Sequence, residues 1–184
     1  AATSVGQVDI TSVAGAINVV GNITGLDLVA IDSTSGAITL SGNVTTSGTN
    51  DSGSGEFGDI LIGTGTAGNV LLSGNISTTG LGDITLDNDG TGTLTINGNV
   101  STAAVNQTSG PNGDIFIGVD AITSQTGGSS VIINGTVETK GTAAGDIYIG
   151  GAGGSTVAVN KAVTAGATGS VIFFTGGLTD VITI

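Results

Sequence analysis

Cysteine, histidine, arginine, methionine and tryptophan are all missing from this chain, and each absence removes a class of chemistry. Without Cys there are no disulfides and no thiolate metal sites. Without His there is no general base of the usual near-neutral kind, and without Cys or Arg most nucleophile and oxyanion schemes also fail. The only cations are Lys140 and Lys161, set against 14 acidic residues, so the formal net charge is −12. That balance excludes nucleic acid as a partner, because phosphate contacts need clustered cations. Aromatics are 3% of the residues, too few for the stacking platforms of a sugar-binding cleft. No apolar run is long enough to span a bilayer as a helix, and no basic amphipathic helix is present to lie on one, so membrane insertion is not expected.

Residues that dress soluble helices are also scarce, while Gly occurs 35 times and Thr, Ser and Asn fill most of the remainder. What is present is a set of Val, Ile, Leu and Ala that brings the hydrophobic share to 38% and the mean hydropathy to +0.44. A disordered chain of similar polar content would lack those side chains. Aliphatic and β-branched residues between glycines predict an all-β protein with almost no helix, and 184 residues suit one domain.

The apolar residues recur in a three-part motif. A first strand carries an apolar-x-apolar step at Val8/Ile10, Val29/Ile31, Ile60/Ile62, Ile84/Leu86, Ile115/Ile117, Ile147/Ile149 and Val171/Phe173. A second step follows at Ile17/Val19, Ile38/Leu40, Val70/Leu72, Leu94/Ile96, Val131/Ile133, Val157/Val159 and Ile182/Ile184. Further along at a constant offset come Ile23, Val44, Ile76, Val100, Val137 and Val163, which mark a third strand. Alternation at period 2 puts each set on one face. Three short strands bent at Gly-rich corners make one turn of a triangular coil, and stacking the turns encloses the apolar face. The expected architecture is therefore a single right-handed, three-faced β-solenoid of about seven imperfect coils spanning residues 1–184. Polar, Gly-rich insertions near 47–56, 103–112 and 118–128 read as protruding loops, and the single proline, Pro111, falls in one of them.

The corner between strands two and three repeats Gly21, Gly42, Gly74, Gly98 and Gly135, with Lys161 as the exception, which suggests a backbone angle open mainly to Gly. Beside it stand Asn22, Asn43, Asn75 and Asn99, placed to hydrogen-bond up the column as an amide ladder. These asparagines also form N-x-S/T sequons, which the repeat generates automatically and which a ladder would occlude.

The segments GNITG, SGNVTTSG, SGNISTTGLGDITL and NGNVSTA resemble the degenerate repeats of filamentous-haemagglutinin-like and autotransporter-passenger β-helices of bacterial surfaces. The resemblance covers nearly the whole chain and implies a right-handed β-helix in a secreted or cell-surface setting. It transfers no active site. The small residues Ala1-Ala2-Thr3-Ser4 also look like a mature end left by a signal peptidase.

Candidate binding chemistry rests on the aspartates. Asp59, Asp83, Asp114 and Asp146 each stand immediately before a first strand and form a column of like charge. Two readings apply: each carboxylate accepts backbone N–H bonds at its Gly-Asp corner, or the column bridges Ca²⁺. Asp87-Asn88-Asp89-Gly90 resembles the start of a calcium loop and adds Asp87 and Asp89 to the possible Ca²⁺ ligands, but it lacks the downstream Glu of an EF-hand. No catalytic residue is expected and no cofactor is required.

The reading of function is a structural subunit that assembles head to tail with copies of itself into an extracellular filament, tube or sheath. By alignment Ala1 falls just past a third strand and Ile184 on a second strand, so both coil ends lack caps in sequence. Ala1, Val5, Val8, Ile182 and Ile184 are the expected axial contacts. Leu61, Phe116, Tyr148 and Ile172, outward residues of the first strand, make an apolar stripe expected to serve lateral assembly, unless the 118–128 loop covers it. The alternative is an adhesin-type or glycan- or ice-binding module. Its Thr and Ser columns, including Thr46, Thr78, Thr102 and Thr139, read as solvated strand surface.

Overall fold

The computed structural model describes residues 2–3, 6–48, 58–63, 68–88, 91–103, 113–119, 130–140, 145–151, 155–175 and 181–184. Among them lie 21 strands and no helix. The third-strand sheet holds β1 (Ala2–Thr3), β4 (Ile23–Thr24), β7 (Val44–Thr46), β10 (Ile76–Thr78), β13 (Val100–Thr102), β16 (Val137–Thr139) and β19 (Val163–Thr164). The first-strand sheet holds β2 (Gln7–Ser12), β5 (Leu28–Ser33), β8 (Asp59–Ile62), β11 (Ile84–Leu86), β14 (Ile115–Ile117), β17 (Ile147–Gly151) and β20 (Val171–Thr175). The second-strand sheet holds β3 (Ile17–Val19), β6 (Ile38–Leu40), β9 (Val70–Leu72), β12 (Thr93–Ile96), β15 (Ser130–Ile133), β18 (Thr156–Val159) and β21 (Val181–Thr183). Every strand pairs in parallel with its counterpart one coil away, the pattern of a three-faced β-solenoid.

Pairing register follows the apolar columns. Val29 lies opposite Ile60, Ile60 opposite Ile84 and Ile84 opposite Ile115, and the same holds for Ile38, Val70 and Leu94 on the second face. A one-residue slip would turn a whole strand's apolar set outward, so the enclosed core enforces this register. From β5 to β18 the inward residues form one continuous cluster that is nearly all fully buried.

The chain's first strand differs from expectation. Ala2–Thr3 is itself a third strand, β1, paired with Ile23–Thr24. Sequence alignment to a later coil misplaced it because the corner between third and first strands shrinks in the first coils: Ala2 and Ile23 stand six residues before Val8 and Val29, whereas Ile76 stands eight before Ile84. Most of the predicted loop insertions, residues 49–56, 104–112 and 120–128, lie outside the described residues.

Two side-chain devices make the corners. Of the glycines in the corner column only Gly21 has a positive φ, of 112°. Gly42, Gly74, Gly98 and Gly135 are required for a different reason: a Cβ on each would overlap the carbonyl of the glycine one coil below. Close stacking, rather than backbone angle, excludes other residues there. At the opposite corner Thr46, Thr78, Thr102 and Thr139 point inward and are buried, correcting their reading as surface. Their Oγ1 groups donate to the carbonyls of Gly58, Gly82, Gly113 and Gly145, the last three at 3.2, 2.6 and 2.8 Å. Period 2 explains the orientation: Val44 faces in, Thr45 out, and Thr46 in again.

Candidate functional site: ladders, end faces and the aromatic patch

Parallel stacking leaves the backbone N–H of each corner residue in need of an acceptor, and the corner side chain one coil below supplies it. Asp83, Asp114 and Asp146 N–H donate to Oδ1 of Asp59, Asp83 and Asp114 at 2.9, 2.8 and 2.7 Å, and Ser170 N–H to Asp146 Oδ1 at 2.6 Å. The aspartates therefore do accept backbone bonds, but across coils rather than within their own corner. An identical arrangement runs up the asparagines: Asn43, Asn75 and Asn99 N–H donate to Oδ1 of Asn22, Asn43 and Asn75 at 3.0, 2.9 and 2.9 Å. So the asparagine column is not the predicted side-chain amide ladder, and its members are exposed rather than occluded. A true amide ladder forms two residues earlier, where Asn134 Nδ2 reaches Asn97 Oδ1 and Asn160 Nδ2 reaches Asn134 Oδ1, both at 2.8 Å. Its signal in the sequence was Asn97, Asn134 and Asn160, two residues before Asn99, Thr136 and Ala162, where the first three coils carry Val20, Ser41 and Ser73.

The two columns bond alike but differ in charge. Stacked carboxylates at the ordinary strand spacing of ~4.8 Å repel by about 3 kcal/mol at an effective dielectric of about 20. Each hydrogen bond returns only about 1 kcal/mol net. Burial, partly offset by the Asp114 N–H and reinforced by the charges of Asp114 and Asp59, pushes the Asp83 carboxyl up to about 7. Asp114 is raised in the same way, by burial first and then by the charge of Asp146. Asp83 is thus the member of the column that holds a proton up to near neutrality.

The calcium reading concerns Asp59, Asp83, Asp87, Asp89, Asp114 and Asp146. Among the described residues no three His, Cys, Asp or Glu side chains converge on a point able to hold a metal ion. Asp87 is fully buried and its Oδ1 accepts Asn88 N–H at 2.7 Å, while Asn88 Nδ2 donates to Gly68 O at 2.7 Å. These residues tie the loop to the coil below; Asp89 lies outside the described residues.

The apolar stripe on the first-strand sheet is also corrected. Phe116 and Tyr148 do point away from the coil interior, yet they are 9% and 4% exposed. Val119 is fully buried beside them, and Ile172 and Phe174 pack on the same cluster. The competing expectation, cover by the chain after β14, holds at Val119. Phe116 and Tyr148 stack with ring centroids 4.9 Å apart and planes 4° apart, and Tyr148 Oη donates to Asp146 Oδ2 at 3.0 Å. Of the four stripe residues Leu61 is the most open to solvent, at 36%.

No protein-family model, no curated protein and no solved structure matches this chain.

The end coils differ from the middle. Val29, Ile60, Ile84, Ile115 and Ile147 are fully buried, whereas Val8 at one end is half-buried and Val171 at the other is 37% exposed. Ile10 and Val19, then Val163, Phe173 and Ile182, are likewise only partly covered. Of the expected axial residues, Val8 and Ile182 pack on the core from these end coils, Ile184 is 82% exposed, and Ala1 and Val5 lie outside the described residues.

Proposed function

We propose that this chain is a structural subunit that stacks head to tail with copies of itself, in an extracellular or cell-surface filament. The observation that supports it is the parallel, in-register pairing that repeats from coil to coil in all three sheets, a stacking that a second copy can continue. One face presents β1, β2 and β3, the other β19, β20 and β21, one strand from each sheet in both cases. A second copy stacked in the register of the interior coils sets Ala2 opposite Val163, Val8 opposite Val171, Ile10 opposite Phe173 and Ile17 opposite Ile182. Such a joint continues all three hydrogen-bond ladders and buries the half-exposed core residues, each fully buried aliphatic being worth roughly 1.5–3 kcal/mol. The resemblance of the repeats to those of bacterial surface β-helices supports the extracellular setting.

A charge of −12 on every copy opposes stacking, so growth is expected to rise with ionic strength through general screening rather than through a Ca²⁺ site. Negative-stain electron microscopy of residues 1–184 in low and high salt tests the reading. Rods with an axial repeat of about 34 Å, seven spacings of ~4.8 Å, are expected. Replacing Val8 and Ile182 by Asp should leave monomers with an unchanged β-type circular-dichroism spectrum. Monodisperse monomers of the wild-type chain at every concentration and salt would overturn the proposal.

A further inference from the structure

Among the described residues the charges are distributed unevenly over the three faces. Asp9, Asp32 and Asp59 lie in strands of the first-strand sheet, and Asp83, Asp114 and Asp146 stand at its leading edge. The third-strand sheet carries Glu138, which pairs with Lys140 at 3.3 Å. None of the seven strands of the second-strand sheet contains a charged residue. On a chain of net charge −12, this sheet is the face where two copies meet with the least repulsion.

Its outward column also carries partly exposed apolar side chains. Thr39, Leu71, Thr95, Ile132 and Ala158 stack in register along it, all half-buried. Ala37, Thr39, Asn69, Leu71, Thr93 and Thr95 line a shallow depression of about 330 Å³ across three coils. The corresponding column of the third-strand sheet offers hydroxyls and Glu138 instead, namely Thr24, Thr45, Ser77 and Ser101.

We infer that the second-strand sheet is the lateral interface of the assembly, and that its occupant is the second-strand sheet of another copy, packed face to face. This rests on the filament reading above and moves the lateral contact from Phe116 and Tyr148 to Leu71 and Ile132. A neutral glycan fits the same face less well, because the face has no aromatic ring on which a sugar would stack. Size sets how the contact behaves. Seven strands at ~4.8 Å spacing, each three or four residues wide, cover roughly 400 Å² per copy. That is about half of the ~800 Å² per partner in a stable pair. Isolated subunits therefore touch only transiently, and lateral association becomes firm when stacked copies present many such faces together.

Two measurements separate this inference from the axial one. Electron microscopy should show wild-type filaments paired or bundled, and filaments of Leu71→Asp/Ile132→Asp single with the same axial repeat. Because the chain has no cysteine, Thr95→Cys gives a unique reporter on the central coil, where it opposes itself whether the two solenoids run parallel or antiparallel. A short bis-maleimide should cross-link Thr95→Cys several-fold more than Ser101→Cys, which faces outward on the third-strand sheet. Equal cross-linking of both reporters, or bundles unchanged in the double Asp variant, overturns the lateral inference. Cross-linking of Thr95→Cys without filaments would sustain it while rejecting the axial reading.

Discussion

The backbone N–H of Asp114 donates to Oδ1 of Asp83 at 2.8 Å, so an aspartate in one coil terminates a backbone bond from the next. Asn75 and Asn43 make the same bond at 2.9 Å without a charge. The comparison isolates the carboxylate: its hydrogen-bonding role is available to an amide, and only its titration is its own.

That distinction carries a pH dependence. Asp83 is raised in the folded protein to about 7 from an ordinary value of 3.8, so the folded state holds its proton where the unfolded state has lost it. Stability is then highest below pH 4 as far as this group is concerned, and it falls as pH rises from about 4 through about 7. The decline is worth a few kcal/mol at most, at about 1.36 kcal/mol per unit. Thermal melts should show a higher Tm at pH 5 than at pH 8. Asp83→Asn should raise Tm at pH 8 and flatten the profile, and EDTA should leave both proteins unchanged. A Tm that climbs with pH over this range would contradict the account.

Corner glycines give a test of stacking. A methyl group on Gly98 meets the Gly74 carbonyl, whereas one on Gly6 meets nothing within 4 Å. Gly98→Ala is expected to cost about 2–3 kcal/mol through backbone displacement, and Gly6→Ala less than about 0.5 kcal/mol. Chemical denaturation of the two variants against wild type measures the contrast. Equal effects would mean that the column is not close-packed.

Tyr148 is the chain's single tyrosine, so ultraviolet absorbance follows its phenol without interference. Burial, the bond to Asp146 and the charges of Asp146 and Asp114 push it up to about 12. A spectrophotometric titration should show ionisation near that value in the folded protein and near 10 once denaturant exposes the ring. Tyr148→Asp, which an exposed stripe would tolerate, should instead destabilise the fold by about 3 kcal/mol or more. A folded-state midpoint near 10 would place the ring in solvent.

How much was legible in the sequence follows from where the information resides. Which residues form strands, which face inward, and which stack on which are consequences of period-2 alternation and constant offsets. The columns Val29–Ile60–Ile84 and Ile38–Val70–Leu94 could therefore be read from one dimension. What the corner side chains bond to could not. Asp83 finds its donor at Asp114 and Thr102 its acceptor at Gly113, and both choices depend on how closely two coils approach, which the insertions between them conceal. The same limit governed the outer stripe. Period 2 correctly turned Phe116 and Tyr148 away from the coil, but whether an outward ring is wet or dry depends on what packs over it. Val119 and Phe174 cover that side, and their place follows from the path of the chain, not from the alternation of its residues.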